Sequence, residues 1–373
     1  MEISPALELG KRLIRSILDF DSLDSINQLI NAESAPLWYQ DPEEGGISAL
    51  HAAAFAENFE LVKLLITKGA MWNAIDSLNN TAADIALSMN NAKIYEHVRN
   101  AGIRSEMLLT LLSTKSSLND TESTMILKSE DDTAAGSSDE YLSSKLTFKT
   151  DEYGQDICVV NAGEDEVGVM MGWEKEIMEE TVRRLTEDHD NLQEGLKVLN
   201  IGFGLGIIDS LFQALDTPPS LHVIIEAHPD VLAHMRIQGW YDKSNVRIVE
   251  GKWQDVMSSE DVAGVGGFDV VYTDTFSEDY MALKEFFDLV PDLLSGPESR
   301  FSFFNGLGAT NLTFYDVYTR LSDLHLSDVG LEVGWSDVDN PLNDERRKER
   351  WGKTREYFTA PVYRLPIARM ALM

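Results

Sequence analysis

Cysteine is almost missing from this chain. Cys158 is the single one in 373 residues, which excludes an internal disulfide framework and a cysteine-built zinc centre. Basic residues are scarce as well: 31 Lys and Arg stand against 63 Asp and Glu, for a formal net charge of −32. A phosphate backbone needs a cationic face to displace its counterions, so no direct nucleic-acid partner is expected. A basic protein, in contrast, is attracted over roughly a Debye length, ~8–10 Å at physiological salt. No apolar run reaches the ~18 residues of a membrane span. The first ten residues carry Glu2 and Glu8 and lack the basic start and apolar stretch of a signal peptide. The expected setting is the cytoplasm and nucleus, with no membrane partner. Nothing in the sequence calls for more than a monomer.

What is present is a hydrophobic fraction of 43%, enough for a real core, in a chain with room for two or three domains of ~100–200 residues. Residues 1–112 are helical and repetitive. The segment Gly46-Ile47-Ser48-Ala49-Leu50-His51-Ala52-Ala53-Ala54 resembles the opening of an ankyrin repeat, and Val62-Lys63-Leu64-Leu65-Ile66, Gly69-Ala70 and a hairpin with Asp76 follow it. The next unit opens at Thr81-Ala82-Ala83-Asp84-Ile85-Ala86; from Ser48 to Thr81 is 81 − 48 = 33 residues, the ankyrin period. His51 is expected to bond a neighbouring turn and not a metal. An earlier helix pair (Leu13, Ile14, Ile17, Leu18, then Ile26, Leu29, Ile30) reads as a cap on two repeats. Such a module offers a surface for protein contact. Residues 113–145 are polar, acidic and poor in large apolar side chains, and are expected to be a partly disordered linker.

A second domain is expected over residues 146–373. Leu196-Lys197-Val198-Leu199-Asn200-Ile201 is a short apolar strand running into Gly202-Phe203-Gly204-Leu205-Gly206 and then a helical stretch from Ile207. Strand, glycine turn and helix form the nucleotide-binding start of a doubly wound sheet. The spacing G-x-G-x-G leans toward a methionine-bearing nucleoside and away from a pyrophosphate. A second strand, His222-Val223-Ile224-Ile225, ends in Glu226, 226 − 206 = 20 residues past the last glycine, where an acid can accept both ribose hydroxyls. His228 is expected in a loop lining the adenine. After a third strand, Val246–Val249, Trp253 offers a face for packing that ring and Gln254 an amide for its edge. The fourth strand carries Asp274 near its carboxyl end, where open α/β sheets place their chemistry.

The stretches Val169–Met178, Val198–Gly204, Ile224–Glu226, Gly251–Val256, Tyr272–Thr275 and Tyr357-Phe358-Thr359-Ala360-Pro361 resemble guanidinoacetate methyltransferase in order and spacing. With the ankyrin-like module in front, the whole chain resembles the type IV protein arginine N5-methyltransferases, which act on a large-subunit ribosomal protein. The resemblance implies an α/β, class I methyltransferase fold, a doubly wound and mostly parallel seven-stranded sheet behind an all-α ankyrin-like domain. It implies S-adenosylmethionine as cofactor and no metal. Met170, Met178, the turn Gly202, Phe203, Gly204, Leu205, Gly206 and Ile207, then Glu226, Ala227, His228, Trp253, Gln254 and Asp274 would surround that cofactor, with Phe148 and Tyr153 folding over it. Glu174 and Asp274 would be the catalytic pair that holds the guanidinium. Asn200 departs from the acid that many methyltransferases place two residues before the first glycine. The loop Asn305-Gly306-Leu307-Gly308 lacks the hydroxyls that hold a small substrate's carboxylate, and its two glycines are expected to leave room for a peptide backbone. Two other readings stay open: a methyltransferase for a small guanidino compound, and a non-catalytic ankyrin-type scaffold.

Overall fold

The computed structural model describes residues 5–31, 35–116, 137–162, 165–339, 351 and 354–371. The acidic centre of the expected linker, residues 117–136, lies outside them. The chain divides into two compact units, Met1–Ile126 with Asn311–Leu321, and Leu127–Thr310 with Ser322–Met373.

In the first unit, α1 (Pro5–Leu18) and α2 (Leu23–Asn31) precede a short antiparallel pair, β1 (Gln40–Asp41) and β2 (Ile47–Ser48). Helices α3 (Ala49–Phe55), α4 (Phe59–Thr67), α5 (Ala82–Ser88) and α6 (Ala92–Ser116) follow. Ala52, Ala53 and Ala54 are fully buried, as are Ala83 and Ala86; with no bulk beyond Cβ, they let the helices approach closely. Leu13, Ile14, Ile17, Ile26, Leu29 and Ile30 join the same core as these alanines. Ser48 caps α3, and His51 Nδ1 accepts its N–H at 3.2 Å. His51 Nε2 therefore carries the proton, which it donates to Asn80 O at 3.0 Å in the following hairpin. One buried imidazole thus ties a repeat to its neighbour, as expected of it.

The second unit opens with α7 (Ser138–Ser143) and an antiparallel three-stranded sheet, β3 (Leu146–Thr150), β4 (Asp156–Ala162) and β5 (Asp165–Met171). Its first helix is α8 (Lys175–Thr186). Then come β6 (Lys197–Ile201), α9 (Ile207–Gln213), β7 (Leu221–Glu226), α10 (Pro229–Ile237), β8 (Val246–Glu250), α11 (Trp253–Val256), α12 (Glu260–Ala263) and β9 (Val270–Thr273). The remainder is α13 (Tyr280–Leu293), β10 (Arg300–Phe303), β11 (Leu331–Asp339), β12 (Val362–Met370) and the part of α14 (Leu312–Asp328) that follows Leu321, its earlier residues being counted with the first unit. The seven-stranded sheet has the order β11-β12-β10-β9-β6-β7-β8, parallel from β10 through β8, with β12 antiparallel to both its neighbours. This is the mostly parallel class I methyltransferase sheet that the resemblance implies. Alternate residues of β6 feed opposite faces: Val198 packs with Met178, Val182 and Phe212, while Leu199 and Ile201 pack with Phe286, Phe287 and Val290 of α13. Both faces are covered, as a parallel sheet requires.

The linker expectation is too broad at both ends. Helix α6 runs to Ser116, and Ser138–Ser143 forms α7, capped by the Ser137 side chain and anchored by Tyr141 at 8% exposure. The polar composition of 137–145 masked one large apolar anchor, and one is enough for a single turn to dock.

Burial holds the His51 imidazole below its ordinary range, so the folded repeats keep it neutral. Their stability is then fully present above the ordinary value of ~6.5 and declines as pH falls below it. His51→Ala is expected to destabilise the helical unit by about 2 kcal/mol, because it strands buried polar partners. Hydrogen-exchange protection of α3 to α5 measures this, and unchanged protection would contradict the tie.

Candidate active site

Three parallel strands finish together. Ile201 pairs with Ile225 on one side and with Thr273 on the other, so the next residues, Gly202, Glu226 and Asp274, emerge in one row at the carboxyl edge. Gly202 has φ +89, and a Cβ there would lie 2.0 Å from Asp274 O. No other residue type fits so close a crossing of two chains. Asn200, fully buried, donates through Nδ2 to Gly202 O at 2.9 Å and to Asp209 at 2.9 and 3.0 Å. An ionised acid at this position has no donor for that carbonyl, so the asparagine gives the turn a brace.

Glu226 is 7% exposed, and its carboxylate is oriented by three backbone amides. Oε2 accepts from Phe203 at 2.9 Å, and Oε1 from Ala227 at 2.8 Å and His228 at 2.7 Å. Burial pushes its pKa up, and these N–H groups oppose the shift. A carboxylate offers about four acceptor positions, and with three amides already bound one remains for a ligand hydroxyl. Met170 Sδ accepts the N–H of Leu205 at 3.2 Å, bringing the end of β5 onto the glycine turn. Met178 is fully buried on α8, where its sulfur receives the Tyr272 hydroxyl at 3.6 Å. Gly204, Leu205, Gly206 and Ile207 complete the turn into α9.

Other expected residues have different surroundings. His228 is not a loop residue with a free edge: it is 0% exposed and caps α10, with Nδ1 accepting from Asp230 N–H at 3.1 Å and Nε2 donating to Tyr141 O at 3.0 Å. The helix cap takes one ring nitrogen and the Tyr141 carbonyl the other. Trp253 sits in the core, edge to face with Phe286 at 5.3 Å, and its indole N–H goes to Glu278 at 3.0 Å. Gln254 Nε2 also goes to Glu278, at 2.9 Å, as does the Thr275 hydroxyl at 2.6 Å. Glu278 therefore joins the loops after β8 and β9, and no motif in the sequence marked it. Phe148 stacks on His234 at 4.1 Å and lines a cleft of about 560 Å³ with Gly172, Lys175, Leu205 and Ile207. Tyr153 is 49% exposed in the turn between β3 and β4. At the loop 305–308, a Cβ on Gly306 would meet the Phe304 ring at 2.7 Å. That glycine is required by the close approach of its own neighbour's ring.

Glu174 and Asp274 form an acidic pair. Glu174, 2% exposed, closes the 3-10 turn Gly172–Glu174 ahead of α8. Its Oε1 accepts from Met171 N–H at 2.9 Å and from the Tyr357 hydroxyl. Burial raises the Glu174 pKa most, and the charge of Asp274 raises it further. Burial likewise raises Asp274. Among the described residues no basic side chain offsets either. Two neighbouring carboxyls without a cation are a site for one, and a flat, doubly hydrogen-bonding cation suits them best. Tyr357 carried no assigned role in the sequence, although its motif was visible there.

Comparison with known proteins bears on both units. Residues 13–107 match the family model for ankyrin repeats, in three copies, so the helix pair read as a cap lies within the repeat array. Residues 165–290 match the model for guanidinoacetate N-methyltransferase. The chain is 42% identical to a protein arginine N-methyltransferase 2 of Cryptococcus neoformans var. neoformans, over 99% of this chain and 98% of that protein. Proteins of the same name from Emericella nidulans and Saccharomyces cerevisiae are each 35% identical, covering 83% and 82% of this chain and 77% and 76% of theirs.

Gly202→Ala is expected to weaken binding of S-adenosylhomocysteine at least about tenfold, since a left-handed backbone alone costs ~1–2 kcal/mol for a residue with Cβ. Calorimetric titration reads this directly; wild-type affinity in that variant would contradict the close crossing.

Proposed function

The chain belongs to the family of the protein arginine N-methyltransferase 2 proteins, and from that premise we propose that it methylates the δ (N5) nitrogen of an arginine side chain in a large-subunit ribosomal protein, with S-adenosylmethionine as donor. The observation that carries this reading is the Glu174–Asp274 pair beside the glycine turn: Glu174 is buried, Asp274 is half-buried, and among the described residues no basic side chain offsets either. The residues present fit the cofactor. The backbone crossing at Gly202 leaves the turn free of side-chain bulk, and Glu226 is held in place with one acceptor position left for a ribose hydroxyl. When bound, the cofactor supplies a methyl group on a cationic sulfur, activated toward displacement.

The protein's own task is alignment, which can contribute ~7–11 kcal/mol. Guanidinium is planar, cationic and a poor nucleophile, with a pKa above ~12. Two carboxylates accepting from its terminal nitrogens leave the secondary nitrogen, which bears the side-chain carbon, to attack; this supports N5 over the terminal positions. With the methyl group supplied by the cofactor, the guanidinium would give up one proton to a carboxylate it already contacts. Glu174 is stabilised as an anion by its two donors, whereas Asp274 accepts no hydrogen bond from the described residues. Asp274 is therefore the carboxylate that takes the proton. The net charge of −32 supports a basic protein as substrate, and the ankyrin repeats offer it a contact surface.

A second reading, a small guanidino compound as substrate, is favoured by the match of residues 165–290 to guanidinoacetate N-methyltransferase. The two separate when methyl-labelled cofactor is supplied with large-subunit ribosomal proteins or with guanidinoacetate. Label is expected in a basic protein, with fragmentation placing it on the δ nitrogen; label on guanidinoacetate alone would overturn the protein reading. Asp274→Asn is expected to lower kcat by at least about 100-fold, and near-wild-type turnover would remove its role as proton acceptor. Both carboxyls titrate above the ordinary carboxylate range and must be ionised to hold the cation. The acid limb of kcat/KM should thus lie well above pH 5; a limb at ~4 would count against the pair.

A further inference from the structure

Glu174 has two donors, and both land on one oxygen. Met171 N–H reaches Oε1 at 2.9 Å from the preceding turn, and the Tyr357 hydroxyl reaches the same atom from the segment before β12, 183 residues away in sequence. No described residue donates to Oε2. The Tyr357 ring is set by aromatic neighbours, edge-on to Trp351 at 4.8 Å and tilted against Trp173 at 5.7 Å, and Phe358 packs on Trp173 at 6.2 Å. Phenylalanine would fill that wall as well, as Phe358 does beside it. The hydroxyl is what packing does not explain.

We propose that Tyr357 is a positioning residue for guanidinium recognition, occupying Oε1 together with Met171 N–H so that Glu174 presents Oε2 to the cation. This rests on the reading of Glu174 as a guanidinium ligand. A carboxylate side chain has two rotatable bonds beyond Cβ, and a single backbone donor leaves its plane free to turn. The second donor, arriving from a distant segment, fixes the plane. It also stabilises the ionised form. The titratable groups facing Glu174 are Asp274, Tyr272 of β9 and Tyr357 itself; Asp274 opposes its ionisation, and the Tyr357 hydroxyl favours it.

Ethylguanidinium, titrated calorimetrically into the full-length protein saturated with S-adenosylhomocysteine, tests the proposal across a pH series. In Tyr357→Phe its Kd is expected to rise on the order of tenfold or more, the loss typical of a hydrogen bond to a charged group. The pH midpoint for binding should move upward, while S-adenosylhomocysteine affinity stays at the wild-type value. In a Glu174→Gln background the same substitution should add little. Wild-type Kd and midpoint in Tyr357→Phe would overturn the proposal, as would a parallel loss of S-adenosylhomocysteine binding, the mark of a merely structural role. If the wild-type protein itself fails to bind ethylguanidinium, the clamp reading of Glu174 and Asp274 falls first and the proposal with it.

Discussion

Two neighbouring carboxyl groups, one buried and one half-buried, are the constraint around which the catalytic unit is arranged. Burial raises both, and the charge of Asp274 raises Glu174 further; the free energy for this comes from packing elsewhere. The linkage has a definite sign. Groups with raised pKa in the folded state favour folding at acid pH, and that contribution is lost as pH rises through their shifted values. At neutral pH the empty pair therefore destabilises the unit, and an arriving cation relieves it. Binding and stability draw on the same electrostatic term. A site of this kind discriminates strongly against neutral ligands, which would leave two charges uncompensated.

Around the pair, the surroundings divide into what holds the cofactor and what holds the acids. The glycine turn is fixed from below by Asn200 and from the side by Met170, and Glu226 is fixed by three amides. Glu278 gathers Trp253, Gln254 and Thr275 from two loops onto one carboxylate. On the other side, Trp173, Trp351, Tyr357 and Phe358 form an aromatic wall behind Glu174. Most of these supports are hydrogen bonds to backbone or between distant loops, and each removes a freedom that the reacting geometry cannot tolerate.

The parallel core was legible because each strand announces itself: an apolar run, then a glycine or an acid at the edge where the chain turns. The ankyrin period was legible for the same reason, since repetition at 33 residues survives in Ser48 and Thr81 and in the buried alanines after each. Roles that depend on what approaches from elsewhere were not. His228 looks like a free loop histidine until Tyr141, 87 residues earlier, takes its Nε2. Trp253 reads equally well as a ligand platform or as core, and only Phe286 and Glu278 decide. Gly306 resembles an opening, and the Phe304 ring whose close approach requires a glycine is two residues away but on no visible pattern. Helix α7 was hidden by polar composition.

The shared finish of β6, β7 and β9 ties catalysis to folding in a way no single residue shows. Side chains alternate faces along a strand, so sliding β9 by one position against β6 would turn Val271 away from the α13 side of the sheet, where it packs, and Asp274 away from its partner together. Hydrophobic matching and acid placement are thus enforced by one alignment. A substitution such as Val271→Thr, remote from any ligand, would loosen both, and lost turnover in such a variant would report strand register and not damaged chemistry.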